Sequence, residues 1–62
     1  VDSRTVIRLI EADGWFLVAV SSSHHQFKHT VKSGRVTVAH PRKDLPITTL
    51  KSIERQSGLK IR

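Results

Sequence analysis

A chain of 62 residues with no cysteine has room for one domain, 1–62, and its small core must hold by packing, since neither a disulfide nor a thiolate zinc site is available. Hydrophobic residues at 37 % and charged residues at 26 % argue against disorder, and the longest apolar run, Trp15 to Val20, is too short to span a bilayer. The formal net charge of +6 is concentrated late: residues 28–62 carry nine lysines and arginines against Asp44 and Glu54, so the expected protein is soluble, cytoplasmic and built to meet a polyanion.

Ser3 reads as the cap of a first helix over residues 3–13, with Val6, Ile7, Leu9 and Ile10 as its apolar stripe and Gly14 as its stop. Trp15 to Val20 predicts a strand covered on much of both faces, and Ser21-Ser22-Ser23 turns the chain. A second strand is expected from His24 to Thr30, a turn at Lys32-Ser33-Gly34, and a third strand from Arg35 to Ala39, halted by Pro41. Leu45-Pro46 leads into a second helix whose inward row is Ile47, Leu50, Ile53 and Ser57, closed by Gly58-Leu59 in Schellman form. The fold class is α+β: helix, three-stranded antiparallel sheet, helix (α-β-β-β-α), with both helices on one face of the sheet and the other face in water.

Three of the four histidines fall in Ser22-Ser23-His24-His25-Gln26-Phe27-Lys28-His29. Strand alternation sends His25 and His29 inward with Phe27 and leaves His24, Gln26 and Lys28 on the open face, where Arg35 from the third strand joins them. An imidazole among cations suits metal-free RNA cleavage, in which a ribose 2′-hydroxyl attacks the adjacent phosphate while a base and an acid move protons and cations stabilise the developing charge. His24 is therefore the candidate catalytic residue, with Lys28 and Arg35 as phosphate contacts. His25, His29 and His40 are candidates for the second proton-transfer group, although each has a plainer role at the core edge or in a turn. No carboxylate occurs in residues 14–43 and His24 and His25 point apart, so no metal or other cofactor is expected.

The stretches Ser3-Arg4-Thr5-Val6-Ile7, Leu9-Ile10-Glu11-Ala12-Asp13-Gly14-Trp15, Ser23-His24-His25-Gln26-Phe27-Lys28-His29, Arg35-Val36-Thr37-Val38 with His40-Pro41, and Thr49-Leu50-Lys51-Ser52-Ile53 through Gln56-Ser57-Gly58-Leu59 resemble the HicA toxins of bacterial HicA–HicB toxin–antitoxin pairs. The resemblance covers nearly the whole chain. It implies a fold like the double-stranded RNA-binding domain and an mRNA interferase that cleaves single-stranded messenger RNA without a metal. It also places the catalytic histidine at His24 and implies neutralisation by a HicB-like antitoxin. The chain departs from the family at Ser22, where glycine is usual before Ser-His, and at Ala19-Val20, where a basic or polar residue is common, so a weakened toxin is one alternative expectation. The other is a non-catalytic RNA-binding module that uses Lys51 and Arg55, four residues apart on an exposed face of the second helix, as further phosphate contacts.

Overall fold

The computed structural model describes residues 1–62 and runs α1 (Ser3–Ala12), β1 (Phe16–Ser21), β2 (His24–Lys28), β3 (Val36–Ala39) and α2 (Ile47–Ser57). The strands form one antiparallel sheet in the order β1-β2-β3. Phe27, Val36 and Val38 on one face of β2 and β3 join Val6 and Ile10 of α1, Leu50 and Ile53 of α2, Trp15 and Leu45 in a single buried cluster. The architecture is the expected α-β-β-β-α, and the opposite face of the sheet is left without a helix.

The cap of α1 is Asp2 rather than Ser3: its carboxylate accepts the Thr5 N–H at 3.2 Å. Hydrogen bonds from the Thr5 side chain and backbone hold the Asp2 carboxyl below the usual aspartate range. Ser3, one residue further on, is the first residue of the helix and is buried, its hydroxyl occupied elsewhere. Val6 and Ile10 are buried and Ile7 packs against the core, but Leu9 is exposed. Gly14 ends the helix at φ +104°, where a Cβ would lie 2.8 Å from the His29 Nε2, so both backbone and neighbour require glycine.

β1 departs most from expectation. Trp15, just before it, is buried as the sequence predicts, but every residue of Phe16–Ser21 is exposed. Both helices pack chiefly on β3, so β1 forms the uncovered margin of the sheet, and apolar content by itself does not tell a covered strand from an overhanging one. A bulge between Leu17 and Ala19 interrupts its pairing with β2.

In α2, Leu50, Ile53 and Ser57 face inward as expected, whereas Ile47 at the first helical position is 58 % exposed. Leu45, ahead of the helix, fills the core in its place. The helix ends at Gly58, φ 74°, whose N–H donates to the Glu54 carbonyl at 2.8 Å. Because the Leu59 N–H goes to the Ser57 hydroxyl, this is the single-bond left-handed ending and not the Schellman form, though Leu59 still packs on the core. Beyond it, Glu54 accepts the N–H groups of Ile61 and Arg62 at 2.9 and 3.0 Å, and these bonds lower its carboxyl to about 2.

Candidate active site

The hairpin register organises the open face into rows. His24 opens β2 between Ser21 of β1 and Ala39 of β3, Gln26 lies between Ala19 and Thr37, and Lys28 faces Phe16. Small neighbours on both sides of His24 leave its imidazole exposed. Successive residues on one strand face are two apart, so Lys28 sits about 13 Å from His24 at ~3.3 Å per residue. That separation exceeds the screening length of about 8 Å at physiological ionic strength. The cations therefore lie along the face from His24 and do not ring it.

Arg35 is drawn closer. Its Nη1 donates to Gln26 Oε1 at 2.6 Å, which holds the guanidinium at the middle row, one step from His24 and one from Lys28. A neutral amide can position a guanidinium without neutralising it, so the charge remains available to an anionic ligand. Phe16 completes the third row: nearly half exposed beside Lys28, it presents an aromatic face next to a cation. Reading residues 15–20 as a covered strand hid this residue. The bulge and the edge position of β1 are what expose it, and neither shows in composition.

The other histidines separate into two places. His29 is fully engaged: its Nδ1 accepts the N–H groups of Val31 and Lys32 at 3.0 and 3.1 Å, which leaves Nε2 to donate to the Asp13 carbonyl at 2.6 Å. Its ring also meets Trp15 edge-on, with centroids 5.2 Å apart. Next to it Lys32 donates to the Asp13 carboxylate at 2.6 Å and to the Ser57 carbonyl at 3.0 Å. The Lys32 ammonium lowers the Asp13 carboxyl below the ordinary aspartate value. This cluster ties the β2–β3 connection to the C-terminal ends of both helices.

His25 and His40 meet instead at the His24 end of the sheet, on the helix side, their rings edge-to-face with centroids 5.1 Å apart. The His40 N–H donates to the Ser23 carbonyl at 2.8 Å, and its Nδ1 lies 2.7 Å from the buried Ser3 Oγ. Lys51 and Arg55 are exposed on α2, in the layer that covers the other face of the sheet from His24. No group of three or more His, Asp or Glu side chains is placed to hold a metal ion, and no helix is long and apolar enough to cross a membrane.

Compared with individual curated proteins, the chain finds no match. Residues 3–59 match the HicA toxin of bacterial toxin–antitoxin systems, and with all but the two ends of the chain included, the protein belongs to the HicA toxin family.

Proposed function

We propose that the protein is a metal-independent endoribonuclease, the mRNA interferase of a toxin–antitoxin pair, with His24 as general acid/base. The observation that carries this reading is the exposed His24 imidazole at the head of a cationic open face. In the reaction the ribose 2′-oxygen bonds to the adjacent phosphorus and the bond from phosphorus to the 5′-oxygen breaks. One group takes the proton of the 2′-hydroxyl, and another protonates the departing oxygen. Arg35 and Lys28 offer positive charge along the face for the scissile and neighbouring phosphates, and Phe16 offers a stacking surface for a base. DNA has no 2′-hydroxyl and is spared.

For the second proton transfer, His25 and His40 each keep one ring nitrogen without a partner, whereas both ring nitrogens of His29 are committed. Lys51 and Arg55 serve flanking RNA. A HicB-like antitoxin neutralises the toxin by covering the open face, and the pair acts in the cytoplasm. One observation favours a weakened enzyme as the second reading: Ser22 adopts φ 57° in the turn that delivers His24, a conformation better suited to glycine.

The test is cleavage of single-stranded RNA in excess chelator. Wild-type protein should cut, and His24→Ala should be slower by about 100-fold or more, the usual size of a lost general acid/base. Equal rates for the two proteins overturn the role of His24. RNA that is bound but never cut identifies a binding module instead.

A further inference from the structure

At the His24 end of the sheet, on the helix side, a cleft of about 470 Å³ opens between the first turn of α1 and the connection from β3 to α2. Pro41 is the one apolar residue of its lining, and three of its residues are cations: Arg4, Arg42 and Lys43. None of the three side chains takes part in an ion pair or hydrogen bond within the protein, in contrast to Lys32 and Arg62, which bind Asp13 and Glu54. The one carboxylate in the lining, Asp2, is already occupied in capping α1. Three like charges gathered in a concavity repel one another until an anion compensates them.

The wall of the cleft is fixed from within. Ser3 is 1 % exposed, accepts the Arg42 N–H on its Oγ at 2.9 Å, and donates its own N–H to the Arg42 carbonyl at 2.9 Å. The same hydroxyl lies 2.7 Å from His40 Nδ1, so one buried side chain sets both the path of the loop and the orientation of the ring. The backbone holds Arg42 in place while its guanidinium stays free, a preorganised arrangement for an anion.

The position of the cleft says which anion. His40 directly follows Ala39, the strand partner of His24, and its N–H bonds the carbonyl of Ser23. The cleft therefore begins one residue from the row of the catalytic candidate, around the end of the sheet from the open face. We infer that this cleft is a second phosphate subsite, taking a phosphodiester of the single-stranded RNA within one or two nucleotides of the bond held at His24. Arg4, Arg42 and Lys43 bind the phosphate, and Ser3 is a positioning residue for His40 and the loop. The inference rests on the RNA reading above and adds to it the route of the strand: along the open face and over the turn end into the cleft.

The experiment measures binding of a fluorescent single-stranded RNA by anisotropy over a range of salt concentrations, with His24→Ala in every protein so that the RNA stays intact. Arg42→Gln with Lys43→Gln should weaken binding at least tenfold at low salt. Each phosphate neutralised on a single strand contributes about 0.7 to the slope of log affinity against log salt, so loss of this one phosphate should flatten it by about 0.7. Arg8→Gln, on an exposed part of α1 outside the cleft, should leave the slope unchanged. An unchanged slope in the double variant, alongside a flattened one for Lys28→Gln with Arg35→Gln, overturns the subsite and leaves the RNA reading standing. Absence of RNA binding by the His24→Ala parent at low salt overturns both.

Discussion

Ser21 and His24 are cross-strand partners closing the β1–β2 hairpin, so only Ser22 and Ser23 form the turn that aims the candidate catalytic imidazole. Ser22 has φ 57° and is the only non-glycine residue with positive φ in the chain. A two-residue hairpin with a positive first position and an ordinary second is the pattern of a type II′ turn, which selects glycine at that first position. Relief of the left-handed backbone outweighs the added flexibility of the unfolded chain, so Ser22→Gly should stabilise the protein by about 0.5–1 kcal/mol. Thermal unfolding would record this as a rise of a few degrees, and RNA cleavage should rise with it if the turn holds His24 out of position. A fall in stability would show that the serine is unstrained.

The opposite behaviour is expected at Gly14. Alanine there meets strain at φ +104° and brings a methyl carbon to 2.8 Å from His29 Nε2, pushing the ring off the Asp13 carbonyl. Backbone strain of this kind costs about 1–3 kcal/mol. Denaturant unfolding of Gly14→Ala should show a loss in that range, with proton exchange at the Val31 and Lys32 amides accelerated because their acceptor has moved.

Exposure of β1 yields a paired comparison. Val36→Ala removes two methyl groups from a fully buried position and should cost about 2–3 kcal/mol. Val20→Thr, on a strand of equally apolar sequence but 53 % exposed, should change stability by no more than about 0.5 kcal/mol. Equal losses at the two sites, measured by chemical denaturation, would mean that β1 is covered in solution.

Acid should act through Glu54. Its carboxyl is lowered from 4.5 to about 2, chiefly by the Arg62 and Ile61 N–H groups, so folding favours the ionised form. The resulting stabilisation is complete above the unfolded value of 4.5 and is lost as pH falls toward 2. Glu54→Gln should flatten the acid side of the stability profile over that window, and an unaltered profile would remove Glu54 from the account. NMR of the Ile61 and Arg62 amides as pH falls would follow the same event locally.

Much of this architecture is legible because local chemistry and tertiary packing agree. Gly14 and Gly58 mark helix ends by the same physics in sequence and structure, and the alternation around Phe27 correctly sends His24 to the open face and His25 inward. What escapes is whatever depends on a third element. Asp2 outcompetes Ser3 for the cap because Ser3 is claimed by His40 and Arg42, residues far along the chain. Phe16 and its neighbours look like core because their exposure is decided by where two helices happen to lie. The union of Arg4, Arg42 and Lys43 in one cleft likewise joins the start of the chain to its middle, a contact that no periodicity records.

The two margins of the sheet differ in kind. On β3 the Thr37 amide is met by the Gln56 side chain at 3.2 Å, while β1 has no neighbour beyond it and carries no charged residue to repel one. The outward backbone groups of Phe16–Ser21 thus have no strand partner, whereas at the other margin the second helix takes up the Thr37 amide through Gln56.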